Sequence, residues 1–199
     1  MGFWEKVKGF IVSPTATFNG VKDEGWGASF SYFAKLLVIF AVLMAVIVAS
    51  IAWVVLAVIV GMFGALLAAF GVPADAMTGV MGWVTGLAGV MAVILLIMVI
   101  ISGLIGILVG SGWMHIWVYL CGGRKGAGQT IKAMAYGSTP SLLLGWIPFI
   151  GFIFGIWSMI VSIIGIRQLH EISTGKAVLA YLLGAIIIPL IILLIILLI

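Results

Sequence analysis

Between Lys35 and Arg124 the chain carries one formal charge, at Asp75. No other feature restricts its folding so strongly. A stretch this long with a single charge cannot supply the surface of a soluble domain, in which roughly 25% of residues are charged. The whole chain of 199 residues follows suit, at 65% hydrophobic and 7% charged. Lipid must be the solvent for most of it. In lipid no water satisfies the backbone, so spanning segments must close their own hydrogen bonds. The sequence predicts an all-α, polytopic membrane protein.

The apolar runs divide into five transmembrane helices. The first is expected over residues 29–62, with its apolar run continuing to Phe70. About 20 residues suffice to cross the hydrocarbon. A turn at 71–75 and a Gly-rich segment at 77–86 follow, with Trp83 as an interfacial anchor. The second span, 87–120, is long enough to require tilt or a bend near Gly103, Gly106, Gly110 and Gly112. The third starts at Lys132, the fourth covers 149–166, and the fifth covers 177–199 around Pro189. Lys6, Lys8, Lys22 and Lys35 then precede the first span. Arg124, Lys125 and Lys132 lie between the second and third, and Arg167 and Lys176 between the fourth and fifth. Together these are all nine basic residues. The positive-inside rule puts that side in the cytoplasm, with the N-terminus inside, the C-terminus outside and the cell membrane as the location. The first long apolar run begins near Leu36, too late for a signal peptide. Lys6 stands where a myristoylation signal needs Ser or Thr.

Two N-terminal amphipathic helices precede the spans, dividing the chain into a cytosolic or interfacial segment, 1–28, and a transmembrane domain, 29–199. In the first helix Phe3, Trp4, Val7, Phe10 and Ile11 share one face, with Glu5, Lys6 and Lys8 elsewhere. Such a face suits either an anionic headgroup layer or the protein's own cytosolic ends. Ser13-Pro14 opens the second helix, with Ser as N-cap and Pro at the first helical position.

Residues 136–157 carry no charge and are interrupted by Pro140, Gly145 and Pro148. Proline removes a donor and breaks a helix. A broken hairpin is expected here: a short helix to Leu144, a tight turn over 145–148, and a second helix after Pro148. Beyond it Gly151, Gly155, Ser158, Ser162 and Gly165 form a stripe of small residues. Such stripes let helices approach closely in lipid. Ser102, Gly106 and Gly110 of the second span are the expected partner, with a homo-oligomer seam as the other reading.

Tyr136-Gly-Ser-Thr-Pro140, then Gly145-Trp-Ile-Pro-Phe-Ile-Gly151 and Ile156-Trp157, resembles the Yip1 domain family. Ser13-Pro14-Thr15-Ala16-Thr17-Phe18 with Val21-Lys22 is similar to the opening of its prokaryotic members. The resemblance implies the five-span fold and a non-enzymatic membrane role. Eukaryotic relatives act in vesicle traffic and bind prenylated Rab GTPases; their Asp-Leu-Tyr-Gly-Pro motif does not occur here.

Catalytic chemistry finds no support. His115 is the ionisable group lying well inside a span, and an interfacial hydrogen bond is its simplest role. Zinc would need His115, Cys121, His170 and Glu171 to converge without any paired local spacing. No nucleophile motif or phosphate loop is present. No catalytic, cofactor or metal residue is therefore assigned, and no nucleic-acid partner. The expected role is a membrane scaffold or adaptor; the alternative is a small-solute transporter or lipid-handling protein. Beyond the bilayer, a protein partner would meet the charged side through Phe18, Lys22, Asp23, Glu24, Arg124, Lys125, Arg167, His170 and Glu171. Pro140, Gly145, Pro148, Gly151 and Gly155 are the expected hinge and packing positions.

Overall fold

The computed structural model describes residues 1–73 and 75–198. Ala74, in the expected 71–75 turn, and Ile199, the end of the expected fifth span, lie outside the described residues. The regular elements are helices: α1 (Phe3–Val12), α2 (Pro14–Gly20), α3 (Trp26–Ala69), α4 (Asp75–Leu120), α5 (Ala127–Gly137), α6 (Thr139–Leu144), α7 (Ile150–His170) and α8 (Thr174–Leu198). Among the described residues, α3, α4, α7 and α8 are long and apolar enough to cross a membrane. At 44 and 46 residues, α3 and α4 are each more than twice the roughly 20 that a crossing needs.

The Gly-rich segment 77–86, expected ahead of the second span, is part of α4. Glycine costs a helix only about 1 kcal/mol. Among apolar neighbours with no water to take up freed amides, the continuous ladder wins. The bend expected near Gly103 to Gly112 likewise does not interrupt α4.

The expected third span is two short helices, of 11 and 6 residues, parted at Ser138. The break is satisfied locally. Pro140 lies in the first turn of α6, where a missing N–H costs least. The Thr139 hydroxyl donates to the Tyr136 carbonyl (2.6 Å) and that of Ser138 to Ala135 (2.9 Å). The Ser141 amide donates to the Ser158 hydroxyl of α7 (2.8 Å). After α6, the Trp146 indole donates to the Leu143 carbonyl (2.8 Å). Phe149, at φ +64°, turns the chain into α7, a conformation uncommon for a residue with a side chain.

Backbone contacts divide the chain into two compact units: residues 1–37 with 103–199, and residues 38–102. In the first unit α7 packs chiefly on α5, and α2 lies against α7. Its core includes Phe10, Phe18, Tyr136, Val161, Ile166 and Leu169. The N-terminal helices are part of this core rather than an appendage to it. In α8, Pro189 cannot donate to the carbonyl four residues earlier. One residue before that position, the Gly184 carbonyl accepts the Trp113 indole N–H at 2.8 Å. The second unit, made of parts of α3 and α4 with their connection, exposes large apolar side chains such as Val46, Met62 and Met98. It contains a groove of about 560 Å3 between Val48, Ala52 and Leu56 on α3 and Leu87, Met91 and Leu95 on α4.

Candidate functional site

The N-terminal segment is fastened by one polar cluster. Along α1, Lys6, Val7 and Phe10 face inward, a spacing of three and four residues. Phe10 stacks on the Tyr136 ring, with centroids 4.7 Å apart. Lys6 reaches the Glu24 carboxylate at 2.6 Å, and the Tyr136 hydroxyl donates to the same carboxylate oxygen at 2.5 Å. The ammonium also lies 3.3 Å from the Tyr136 hydroxyl. Burial works to raise the Glu24 carboxyl. The bonds from Lys6 and Tyr136 outweigh it and hold the group below the usual carboxylate range. Alongside, the Tyr32 and Thr139 hydroxyls are bonded at 3.1 Å. The buried Lys132 ammonium donates to the Lys22 carbonyl at 2.6 Å, closing the turn after α2.

Around this cluster runs an exposed charged rim. Glu171 ends α7 in the left-handed conformation, φ +56°. Its two oxygens pair with Lys22 and, at 2.7 Å, with Lys125. One carboxylate thus ties the N-terminal segment, the loop after α4 and the end of α7. Hydrogen bonds from Lys125 and Lys22 hold its carboxyl down at about 2. The Arg124 guanidinium sits 3.6 Å from the Tyr119 ring centroid, a cation–π contact. Asp23 and Arg167 are exposed.

Of the nine residues expected to meet a partner, Lys22, Arg124, Lys125 and Glu171 gather with contacts to one another or to the same loop. Asp23 and Arg167 are on the surface, and Glu24 is largely taken up inside. Two positions need correction. Phe18 is fully buried, between Phe10, Tyr136 and Gly165 of the core. His170 is 3% exposed. The apolar side of a short helix and a histidine at a helix end gave no sign of which way they faced.

The packing positions also divide. A Cβ on Gly145 would strike the Ser141 carbonyl, and one on Gly151 the Gly145 carbonyl. These glycines, with Pro140 and Pro148, shape the connection between α5 and α7. Gly155 has no close neighbour within the chain: a Cβ there meets nothing within 4 Å among the described residues. The stripe is used at its other end. Gly137 of α5 faces Ser162, and Gly165 approaches Ala133. The partner of α7 is therefore α5, not Gly106 and Gly110 of α4, where added Cβ atoms would also meet nothing. A close approach needs small residues on both helices, and α5 supplies Ala133 and Gly137 at the right spacing.

Sequence reasoning missed a second polar group. His115 Nδ1 of α4 and His170 Nε2 of α7 each lie 2.9 Å from the Thr130 hydroxyl of α5. The signal was thin: one Thr with no special neighbours. The groove of the second unit is lined wholly by apolar side chains, so it can hold hydrocarbon but offers nothing to bind a polar solute.

The family model for the Yip1 domain matches residues 8–197. Comparison with curated proteins and with solved structures gives no match. The match covers nearly the whole chain, and with the four long apolar helices it describes a multi-pass transmembrane protein.

Proposed function

The chain belongs to the Yip1 domain family, and from that premise we propose that it is a non-enzymatic membrane scaffold that recruits a protein partner at its charged face. The observation that carries this reading is the rim formed by Lys22, Glu171 and Lys125 with the exposed Asp23, Arg124 and Arg167. Recognition of a folded partner needs directional charged contacts, and this rim joins three separate parts of the chain into one surface. In this reading α5 and α6 together form a broken third span, giving five, with residues 1–28 on the cytosolic side ahead of the spans. The placement of every Lys and Arg supports a cytoplasmic N-terminus, an extracytoplasmic C-terminus and the cell membrane. The solute-transport alternative draws less support, because the apolar groove lacks any coordinating group.

Arg167 supplies the test. A bilayer headgroup senses its charge, at about 1 kcal/mol per basic residue, whereas a protein carboxylate uses the planar guanidinium fork. Arg167→Lys is expected to reduce copurification of a cytosolic partner while membrane insertion stays normal. Unchanged capture in this variant, or no partner surviving stringent washes of the unmodified protein, would refute the scaffold reading.

A further inference from the structure

We propose that His115, Thr130 and His170 form a proton-responsive junction, which ties α4, α5 and α7 together while both imidazoles are neutral and releases them on acidification. Thr130 is fully buried and has a single hydroxyl proton to give. It can donate to one imidazole only while accepting from the other. His170 Nδ1 is buried and has no partner. A bare acceptor there costs less than an orphaned N–H, so the His170 proton sits on Nε2. The bonds then run in one direction, from His170 Nε2–H to Thr130 Oγ1–H to His115 Nδ1. Each of these three atoms is satisfied, but only in this one arrangement.

An added proton finds no place in it. On His115 Nδ1 it would set two N–H groups against Thr130 and strand the hydroxyl proton. On His170 Nδ1 it would create a buried cationic donor with no hydrogen-bond partner among the described residues; a Cβ added to Gly123 would lie 3.0 Å from that nitrogen. Among the described residues no free carboxylate compensates on any side. On α4, the Tyr119 ring lies 6.3 Å from that of His115 and carries the Arg124 guanidinium. Lys176 of α8 lies beside Gly122, and Arg167 precedes His170 by one turn of α7. Glu171 is engaged by Lys22 and Lys125. An uncompensated buried charge is strongly destabilising, whereas an imidazole exposed to water charges freely near pH 6.5. Acidification therefore favours the open junction. The ion pairs of this face do not respond in the same window. Glu171 is held at about 2 and Glu24 below its ordinary value, so both stay ionised from pH 7.5 to 5.5.

Cys121, the single cysteine, sits at the head of the loop that covers His170 and reports opening. In nanodiscs holding the full chain, its N-ethylmaleimide labelling rate would be measured at pH 7.5 and 5.5. Dividing by the rate of a free thiol at each pH removes the titration of the thiol itself. Uptake of one proton by an open state titrating near 6.5 gives about a tenfold rise. Thr130→Ser keeps the rise, and His115→Gln and His170→Gln each abolish it. The chain has two histidines, so both ring C–H signals can be followed by NMR in the unmodified protein. Their midpoint coincides with that of labelling, a comparison that decides alone if the Gln variants do not fold. A flat normalised rate, a rise surviving in both Gln variants, or midpoints more than one pH unit apart would overturn the junction.

Discussion

Gly137→Ala and Gly155→Ala are the same chemical change on two faces that the sequence does not distinguish, and they should behave oppositely. A Cβ on Gly137 would collide with the Ser162 side chain and lie 2.7 Å from Ser162 Cα. Ser162 cannot turn aside, because the second contact is backbone. Carbon atoms rest about 3.5–4.0 Å apart, so α5 and α7 must separate by roughly 1 Å. A gap of that size forfeits a quarter to a half of each dispersion contact across the interface. Overpacking costs about 1–3 kcal/mol, and the rigid neighbour puts this site at the upper end. Replacing a helical glycine returns about 0.5–1 kcal/mol, leaving a net loss of about 2 kcal/mol. For a chain of this size that lowers Tm by about 4–8 °C. At Gly155 nothing lies within 4 Å, so only the helical gain remains and Tm holds or rises by up to about 4 °C. Thermal unfolding in detergent, followed by circular dichroism, reads both. An unchanged Gly137→Ala, or equal losses at the two sites, would refute the packing of α7 on α5.

Tyr136→Phe removes the donor to the Glu24 carboxylate. A hydrogen bond to a charged group contributes about 1.5–3 kcal/mol, so the same melt should show a clear loss, larger than that of Tyr32→Phe, whose hydroxyl meets only the neutral Thr139. Glu24 makes attachment of the N-terminal segment acid-sensitive. Its folded-state carboxyl titrates below the ordinary value of 4.5, so its contribution is complete above that pH and is lost as pH falls through the folded value. Hydrogen exchange should show residues 1–25 losing protection as pH falls below 4.5 and through the lowered folded-state value, and protection that persists in acid would count against the Lys6–Glu24–Tyr136 cluster as the fastening. In intact cells Cys121 should react with a membrane-permeant thiol reagent and not with an impermeant one; strong outside labelling would invert the topology.

The membrane class was legible because it depends on composition alone: one charge between Lys35 and Arg124 leaves no soluble alternative. The motif from Tyr136 to Pro140 was legible as a family mark but not as chemistry. The fold gives every position in it a job: Tyr136 bonds Glu24, Gly137 admits Ser162, Ser138 and Thr139 cap freed carbonyls, and Pro140 starts α6. Periodicity fails where two answers satisfy the same pattern. The small-residue stripe of α7 has two ends, and only contact with Ala133 and Gly137 selects the one that packs. The glycines of 77–86 likewise left the start of the second span at residue 87 in the sequence, whereas in lipid an open backbone is the costlier choice and α4 begins at Asp75. Charge is the most deceptive case. Counting lysines for topology treats them alike, yet Lys6 is buried against a carboxylate 18 positions later and a tyrosine hydroxyl 130 positions later, and Lys132 against the carbonyl of Lys22. A lysine can be buried only where partners converge on it, and convergence across such separations leaves no local trace. The sequence therefore counts the cations, while the fold decides which of them remain free. Lys6 and Lys132 hold the N-terminal segment down, while the guanidinium of Arg167 is exposed and forms no ion pair among the described residues, which is why the proposed scaffold reading is tested there.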